Sequence, residues 1–282
     1  MKIAIASGKG GTGKTTVATN LAWTIASVGD SVSYIDCDVE EPNGHIFLKP
    51  EIDNKHYATM DYPVINDDLC ISCGKCAEIC QYKAIIFLGE KSVVMPEMCH
   101  SCGGCLLVCP VGALTYEKRE IGIIETGKSN GIDFVHGKLK IGQVMSPPLI
   151  KQTKTHIFEN GTTIIDSPPG TSCPVIESVK STDYVLLVTE PTPFGLSDFK
   201  LAVEVIRKLK IPFGTFINRS DIGSQDTVTF CKKNRISILS SLPDDRGIAE
   251  TYSNGIIAAE TFSDIRKIFL ALYSDLRKKT EK

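Results

Sequence analysis

Eight of the chain's eleven cysteines fall in two runs, Cys70, Cys73, Cys76, Cys80 and Cys99, Cys102, Cys105, Cys109. Each run reads C-x-x-C-x-x-C-x-x-x-C, and each cysteine of the second lies 29 residues after its counterpart in the first. Ala84-Ile85 recurs at the same offset as Ala113-Leu114, so the segment is an internal duplication. A tight loop with a thiolate at every third position can hold three corners of one iron–sulfur cube. The fourth cysteine, set after a longer gap, points away and in two-cluster proteins ligates the other cube. The spacing predicts two 4Fe–4S clusters, one on Cys70, Cys73, Cys76 and Cys109, the other on Cys99, Cys102, Cys105 and Cys80. Zinc sites favour paired knuckles with four ligands per ion, which fits two triple-spaced runs poorly.

A second chemistry opens the chain. The apolar strand Lys2 to Ser7 leads into Gly8-Lys9-Gly10-Gly11-Thr12-Gly13-Lys14-Thr15-Thr16, and a helix-like stretch follows. This satisfies G-x-x-x-x-G-K-[ST] in the strand–loop–helix context that gives the motif its meaning. The glycines let successive amides face phosphates, and the helix N-terminus adds partial positive charge. Lys14 is expected to reach the β- and γ-phosphates of ATP or ADP, and Thr15 to bind Mg²⁺.

Two family resemblances follow. Residues 60 to 118 resemble a bacterial two-cluster ferredoxin; Pro110 follows Cys109 as that pattern asks, whereas Gln81 follows Cys80. The loop K-G-G-T-G-K-T-T, with its early Lys9, resembles the deviant phosphate loop of the MinD, ParA and nitrogenase iron protein family. The second resemblance implies that Lys9 reaches across a dimer to the partner's nucleotide. Asp38, 24 positions after Lys14, becomes the group that activates water. Asp36 becomes an outer-sphere Mg²⁺ partner or a structural residue, and strand alternation is expected to put it on one side with Asp38. Thr162 to Asp166 resembles a Walker B strand, with Asp166 holding Mg²⁺ through water. Gly170, after Pro168-Pro169, would swing its amide onto the γ-phosphate. Asn218, Pro243 and Asp244 match adenine-contacting positions.

These groups need a scaffold. Strand-like runs at Ser31–Asp38, Thr162–Asp166, Tyr184–Thr189, Gly214–Ile217 and Ile236–Leu239 alternate with helical patterns. The fold class expected is α/β, a mostly parallel, doubly wound sheet of the P-loop NTPase type carrying a small α+β ferredoxin insert. The ATPase domain takes residues 1–58 and 119–282, and the insert 59–118. The 282 residues suit one such domain with an insert. A formal charge of −2 argues against coating nucleic acid, and none is expected as a partner. Residues 60 to 118 carry four basic and seven acidic side chains, a net −3 that suits docking to a basic redox partner. No apolar run is long enough to span a bilayer, and the first residues run straight into the motif, so the chain is read as cytoplasmic.

Other features are read as structural. Ile265, Phe269, Leu272 and Leu276 form a helical stripe expected to pack on the sheet, without attachment to a membrane. Cys37 and Cys231 read as small buried hydrophobes. Cys173, near the second switch, lies where the nitrogenase iron protein has a cluster ligand, but the second cysteine that role requires is missing from residues 119–165. His100 lies among thiolate positions already filled.

The combination is expected to form an ATP-dependent homodimer, or a heterodimer with a related ATPase. ATP turnover would then be coupled to electron transfer through two 4Fe–4S clusters to a protein redox partner. One alternative is an ATPase that assembles or carries clusters or a cofactor for a client metalloprotein. Another is a MinD/ParA-like positioning ATPase whose clusters are structural or redox-sensing.

Overall fold

The computed structural model describes residues 1–156 and 161–280. Among them the strands are β1 (Lys2–Ala6), β2 (Val32–Asp36), β3 (Glu51–Ile65), β4 (Ile85–Phe87), β5 (Ser92–Val94), β6 (Leu114–Ser129), β7 (Ile132–Leu139), β8 (Thr162–Asp166), β9 (Tyr184–Thr189), β10 (Phe213–Ile217) and β11 (Ile238–Ser241). Nine of them form one sheet in the order β11-β10-β9-β1-β8-β2-β7-β6-β3. From β11 to β7 every neighbouring pair is parallel. Helices cover the sheet, and its central strands β2, β8 and β9 are buried at every position, polar residues such as Ser33, Thr163 and Asp166 included.

The chain divides into two compact units. The first comprises Met1–His56, Ile124–Lys138 and Ile150–Lys282. The second comprises Tyr57–Ile123 and Leu139–Leu149. Leu139–Leu149, which the sequence reading left with the ATPase domain, is tied into the second unit by the Lys140 amide on the Ile121 carbonyl and by Arg119 on Gln143.

In the first unit, the helix Lys14–Ser27 buries Val17, Leu21 and Ile25 against the sheet. The last helix, Ser263–Thr280, buries Ile265, Phe269, Leu272 and Leu276, and Phe269 stacks on Phe216 of β10 with ring centroids 5.9 Å apart. The stripe therefore belongs to the core. No described helix is long and apolar enough to cross a membrane. Cys37 and Cys231 are fully buried.

Two sequence expectations need correction, and one hairpin lies outside them. The last strand is Ile238–Ser241, two residues later than read, because the Ile236 amide is taken by the Cys231 carbonyl at the end of the preceding helix. β2 ends at Asp36, so strand alternation does not extend to Asp38. There the chain turns, and the Asp38 amide donates back to Asp36 Oδ1 at 3.0 Å. The β6–β7 hairpin was not foreseen, although its two-residue turn is Asn130-Gly131 with φ of 45° and 82°. Positive φ at both positions is the type I′ geometry that Asn-Gly favours.

The second unit repeats itself in its backbone. The helices Lys75–Ile79 and Gly104–Leu107 begin 29 residues apart. So do the left-handed residues Ser72 and Ser101, Gly74 and Gly103, and Lys83 and Gly112. The Asn66 amide donates to the Ala113 carbonyl at 2.8 Å, and the Met95 amide to the Ala84 carbonyl at 2.7 Å. Adding 29 to one residue of the first bond and subtracting it from the other yields the second, the signature of two halves related by a pseudo-twofold.

Candidate functional site

The carboxyl ends of the parallel strands assemble one site in the first unit, where open α/β sheets bind ligands. β1 delivers the loop Ser7–Lys14, β2 delivers Asp36 and then Asp38, and β8 delivers Asp166. β8 lies between β1 and β2, with Asp36 and Asp166 in register. The loop closes on Gly11 (φ 75°) and Gly13 (φ 92°), and no side chain caps the helix that follows. Its first amides are thus left for an anion. Gly8 has a steric reason: a Cβ there would sit 2.1 Å from the Asp198 carbonyl oxygen on the helix Pro193–Leu209. Gly8→Ala is expected to cost about 1–3 kcal/mol through this overpacking. A denaturant melt reads it, and an unchanged midpoint would contradict the packing described.

A cleft of ≈ 450 Å³ opens over this loop. Gly10, Gly11, Gly13, Lys14, Thr15 and Thr16 line it with Asp38. Asn218, Pro243 and Asp244 line the same cleft, together with Arg219 and Tyr252, which the sequence motifs did not single out. The Asn218 amide is spent on the Thr12 carbonyl at 3.0 Å, so it braces the phosphate loop. Thr12 itself is buried.

Lys14 is buried among Asp166, Asp38 and Asp36; burial lowers its pKa while those carboxylates oppose the shift. Burial pushes all three carboxyls up, and the charge of Asp166 adds to the shift of the other two; a cation bound with a polyphosphate would favour their ionised forms. Asp166 accepts from Tyr34 at 2.9 Å, whereas its Oδ1 is buried with no formed hydrogen bond. Burial raises the pKa of Asp166, and Lys14 and then Thr15 oppose the shift by favouring its ionised form. A buried, underused carboxylate oxygen beside a threonine fits a water-bridged Mg²⁺. Asp36 differs: its oxygens accept the Asp38 amide at 3.0 Å and the Gly44 amide at 2.9 Å. It fastens the segment carrying Asp38, which favours the structural role over the Mg²⁺ role.

Asp38 is pushed up to about 6, by burial first and then by the negative charge of Asp166. A group that must be ionised to accept a proton or orient water is then inactive in acid. ATP hydrolysis is expected to show an acidic limb in kcat/KM, falling about tenfold per pH unit below about 6. A profile flat from about pH 5 to about pH 7 would remove Asp38 from that role.

Two loop contacts bear on switching. The Gly170 amide, at φ 98°, donates to the Ser7 carbonyl at 3.0 Å. Lys9 bonds Glu190 of its own chain at 2.6 Å. Arg219 lies 3.5 Å from both Glu190 and Asp244. Glu190 and Arg219 follow the ends of β9 and β10, and that position after a parallel strand was the signal that could have found them. Cys173 is exposed at the start of the helix Cys173–Val179.

In the second unit, all eight cysteines are free and surround two hollows. Cys70, Cys73, Cys76 and Cys109 line one, and Cys80, Cys99, Cys102 and Cys105 line the other. Among the described residues no three His, Cys, Asp or Glu side chains converge as ligands of a single metal ion. The Ala84 amide donates to Cys80 Sγ at 3.3 Å and the Ala113 amide to Cys109 Sγ at 3.2 Å. Four sulfurs around a hollow, served by amide donors and apolar neighbours such as Ile85 and Leu114, fit a cubane cluster. His100 stacks on Tyr82 with ring centroids 3.4 Å apart, at the edge of the second hollow.

Residues 3–258 match the family described as the CobQ/CobB/MinD/ParA nucleotide binding domain. The chain is 33% identical to the Methanocaldococcus jannaschii protein MJ0578, over 98% of this chain and 96% of that one. It is 25% identical to the iron-sulfur cluster carrier protein of Aquifex aeolicus, over 96% of this chain and 65% of that one. Among solved structures, the septum site-determining protein MinD with Mg-ADP from Pyrococcus horikoshii is similar in fold. Its TM-score is 0.61 at 20% identity, covering 98% of this chain and 96% of that one.

Proposed function

Because the chain belongs to the CobQ/CobB/MinD/ParA nucleotide-binding domain family, we propose that it is an ATPase whose nucleotide cycle gates electron transfer through two resident 4Fe–4S clusters to a protein partner. The observation that carries this reading is the division of eight cysteines between two enclosed, symmetry-related hollows. Each set combines three cysteines of one run with the last cysteine of the other, the pattern of a permanent two-cluster module.

In this reading the cysteines within residues 59–118 make the second unit the cluster module, and the first unit is the ATPase. Lys14 and the loop amides bind the β- and γ-phosphates, Thr15 and Asp166 hold Mg²⁺, and Asp38 orients water for attack. Mg²⁺, when bound, neutralises charge on the phosphates. Gly170 must leave the Ser7 carbonyl before its amide can meet a γ-phosphate. Lys9 must leave Glu190 before it can reach a partner subunit's nucleotide. Each bond is a local contact that nucleotide exchange can make or break, which is what a two-state switch requires. The clusters, when bound, supply one-electron carriers; the thiolates hold them and the amide donors tune them.

A second reading has a specific observation in its favour: distant relatives carry the name iron-sulfur cluster carrier protein. If the clusters are cargo, they leave. The separating experiment incubates the loaded protein, with and without MgATP, with an iron chelator and an apo-ferredoxin acceptor. Iron retained under all conditions supports the resident-cluster reading. ATP-dependent delivery to the acceptor overturns it in favour of the carrier.

A further inference from the structure

The two hollows are related by the 29-residue offset almost position by position. Around the first, Ile71, Val111, Ala113 and Leu114 stand where His100, Tyr82, Ala84 and Ile85 stand around the second. The offset also equates Ser92 with Pro63, and each lines its own hollow. Ser92 is 5% exposed, and its hydroxyl oxygen lies 3.5 Å from Cys76 Sγ. A thiol at Cys76 can donate in that contact. A metal-bound thiolate has no proton to give, so the contact persists only if the Ser92 hydroxyl donates. Pro63, in the hollow that Cys105 lines, is buried and has no side-chain donor.

We propose that Ser92 is a potential-setting residue, and that it makes the cluster held by Cys70, Cys73, Cys76 and Cys109 the higher-potential one of the pair. This rests on the two-cluster reading above. Reduction adds one electron, and hence one negative charge, to the cluster–thiolate unit. A hydroxyl donating to a ligand sulfur stabilises the more negative state, and hydrogen bonds to sulfur are among the factors that set cluster potentials. One pair of amide donors is matched between the halves. The amides of Ala84 and Ala113 serve Cys80 and Cys109 equally, at 3.3 and 3.2 Å. The Ser101 amide reaches Cys99 Sγ at 3.3 Å, and Ser72 beside Cys70 has the same φ of 53°. Each hollow has one basic neighbour of this kind, Lys91 beside Cys70 and Arg119 beside Cys99. Lys75 lines the first hollow where Gly104 lines the second, which adds to the same direction.

The test is an anaerobic potentiometric titration of the full chain, with dithionite as the electron source and EPR as the readout. Wild type is expected to show two one-electron midpoints. Ser92→Ala should lower the higher midpoint alone, by about tenfold in the reduction equilibrium, about 59 mV for one electron. Ser92→Thr, which keeps the hydroxyl, should restore it. Pro63→Ser, which places a donor in the other hollow, should raise the lower midpoint. The proposal is overturned if Ser92→Ala moves neither midpoint or moves the lower one. If Ser92→Ala does not load, an unmoved lower midpoint in Pro63→Ser overturns it. A wild-type chain that holds no iron overturns the cluster reading itself, a result distinct from two clusters with unmoved midpoints.

Discussion

Anaerobically reconstituted Cys109→Ser is expected to lose about half of its iron, and the half lost is the cluster otherwise held by Cys70, Cys73 and Cys76. Cys109 belongs to the other cysteine run, so a module of two independent loops would lose the opposite cluster. The expectation comes from the hollow that the four residues share. Double variants make it sharper. Cys109→Ser combined with Cys70→Ser should lose no more iron than either alone, because both act on one cluster. Cys109→Ser combined with Cys80→Ser should lose nearly all of it. Additive loss in the first pair, or shared loss in the second, would reverse the assignment. The unit should also loosen, since Cys76 packs with Ile85 and Leu114 in its core and metal binding in such modules is linked to folding.

The second large effect falls on hydrolysis. Asp38→Asn removes a half-buried carboxylate that lines the cleft together with the phosphate loop. The rate of ATP hydrolysis is expected to drop by about 10²–10⁴, the range over which a positioned general base contributes. Nucleotide affinity should hold or rise, because Asn removes a negative charge near the phosphates while Lys14 and the loop amides remain. A filter-binding assay with MgATP and a phosphate-release assay on the same sample separate the two quantities. Equal loss of binding and turnover would place Asp38 in nucleotide binding instead.

The most legible parts of this molecule were those whose chemistry is local in sequence. The phosphate loop lies within nine residues, and its strand and helix flank it directly. The cysteine runs are likewise local, and their offset exposed the duplication. Less legible were contacts made only when distant strands end at the same edge. Glu190 beside Lys9, and Arg219 beside Asp244, come from loops after β9 and β10, and nothing near Lys9 in the chain announces them. Alternation puts Asp36 and Asp38 on one side, but the chain leaves the strand after Asp36 and commits that residue to backbone amides. The Asn130-Gly131 turn was readable in principle. Its flanking strands continue far past the hairpin, so the local pattern was hidden inside longer runs. The contrast between Ser92 and Pro63 has the same character. Subtracting 29 pairs them on paper, but only the fold shows that both face sulfur-lined hollows.

The central claim is that nucleotide state and cluster state are linked in one polypeptide. The direct measurement is the pair of cluster midpoints, titrated anaerobically by EPR on one preparation with no nucleotide, with MgADP and with a non-hydrolysable MgATP analogue. The account predicts two one-electron couples, at least one of which moves by about tenfold in its equilibrium, about 59 mV, between the ADP and ATP-analogue states. Midpoints and line shapes that stay the same in all three conditions, on protein shown to bind both nucleotides, would contradict it.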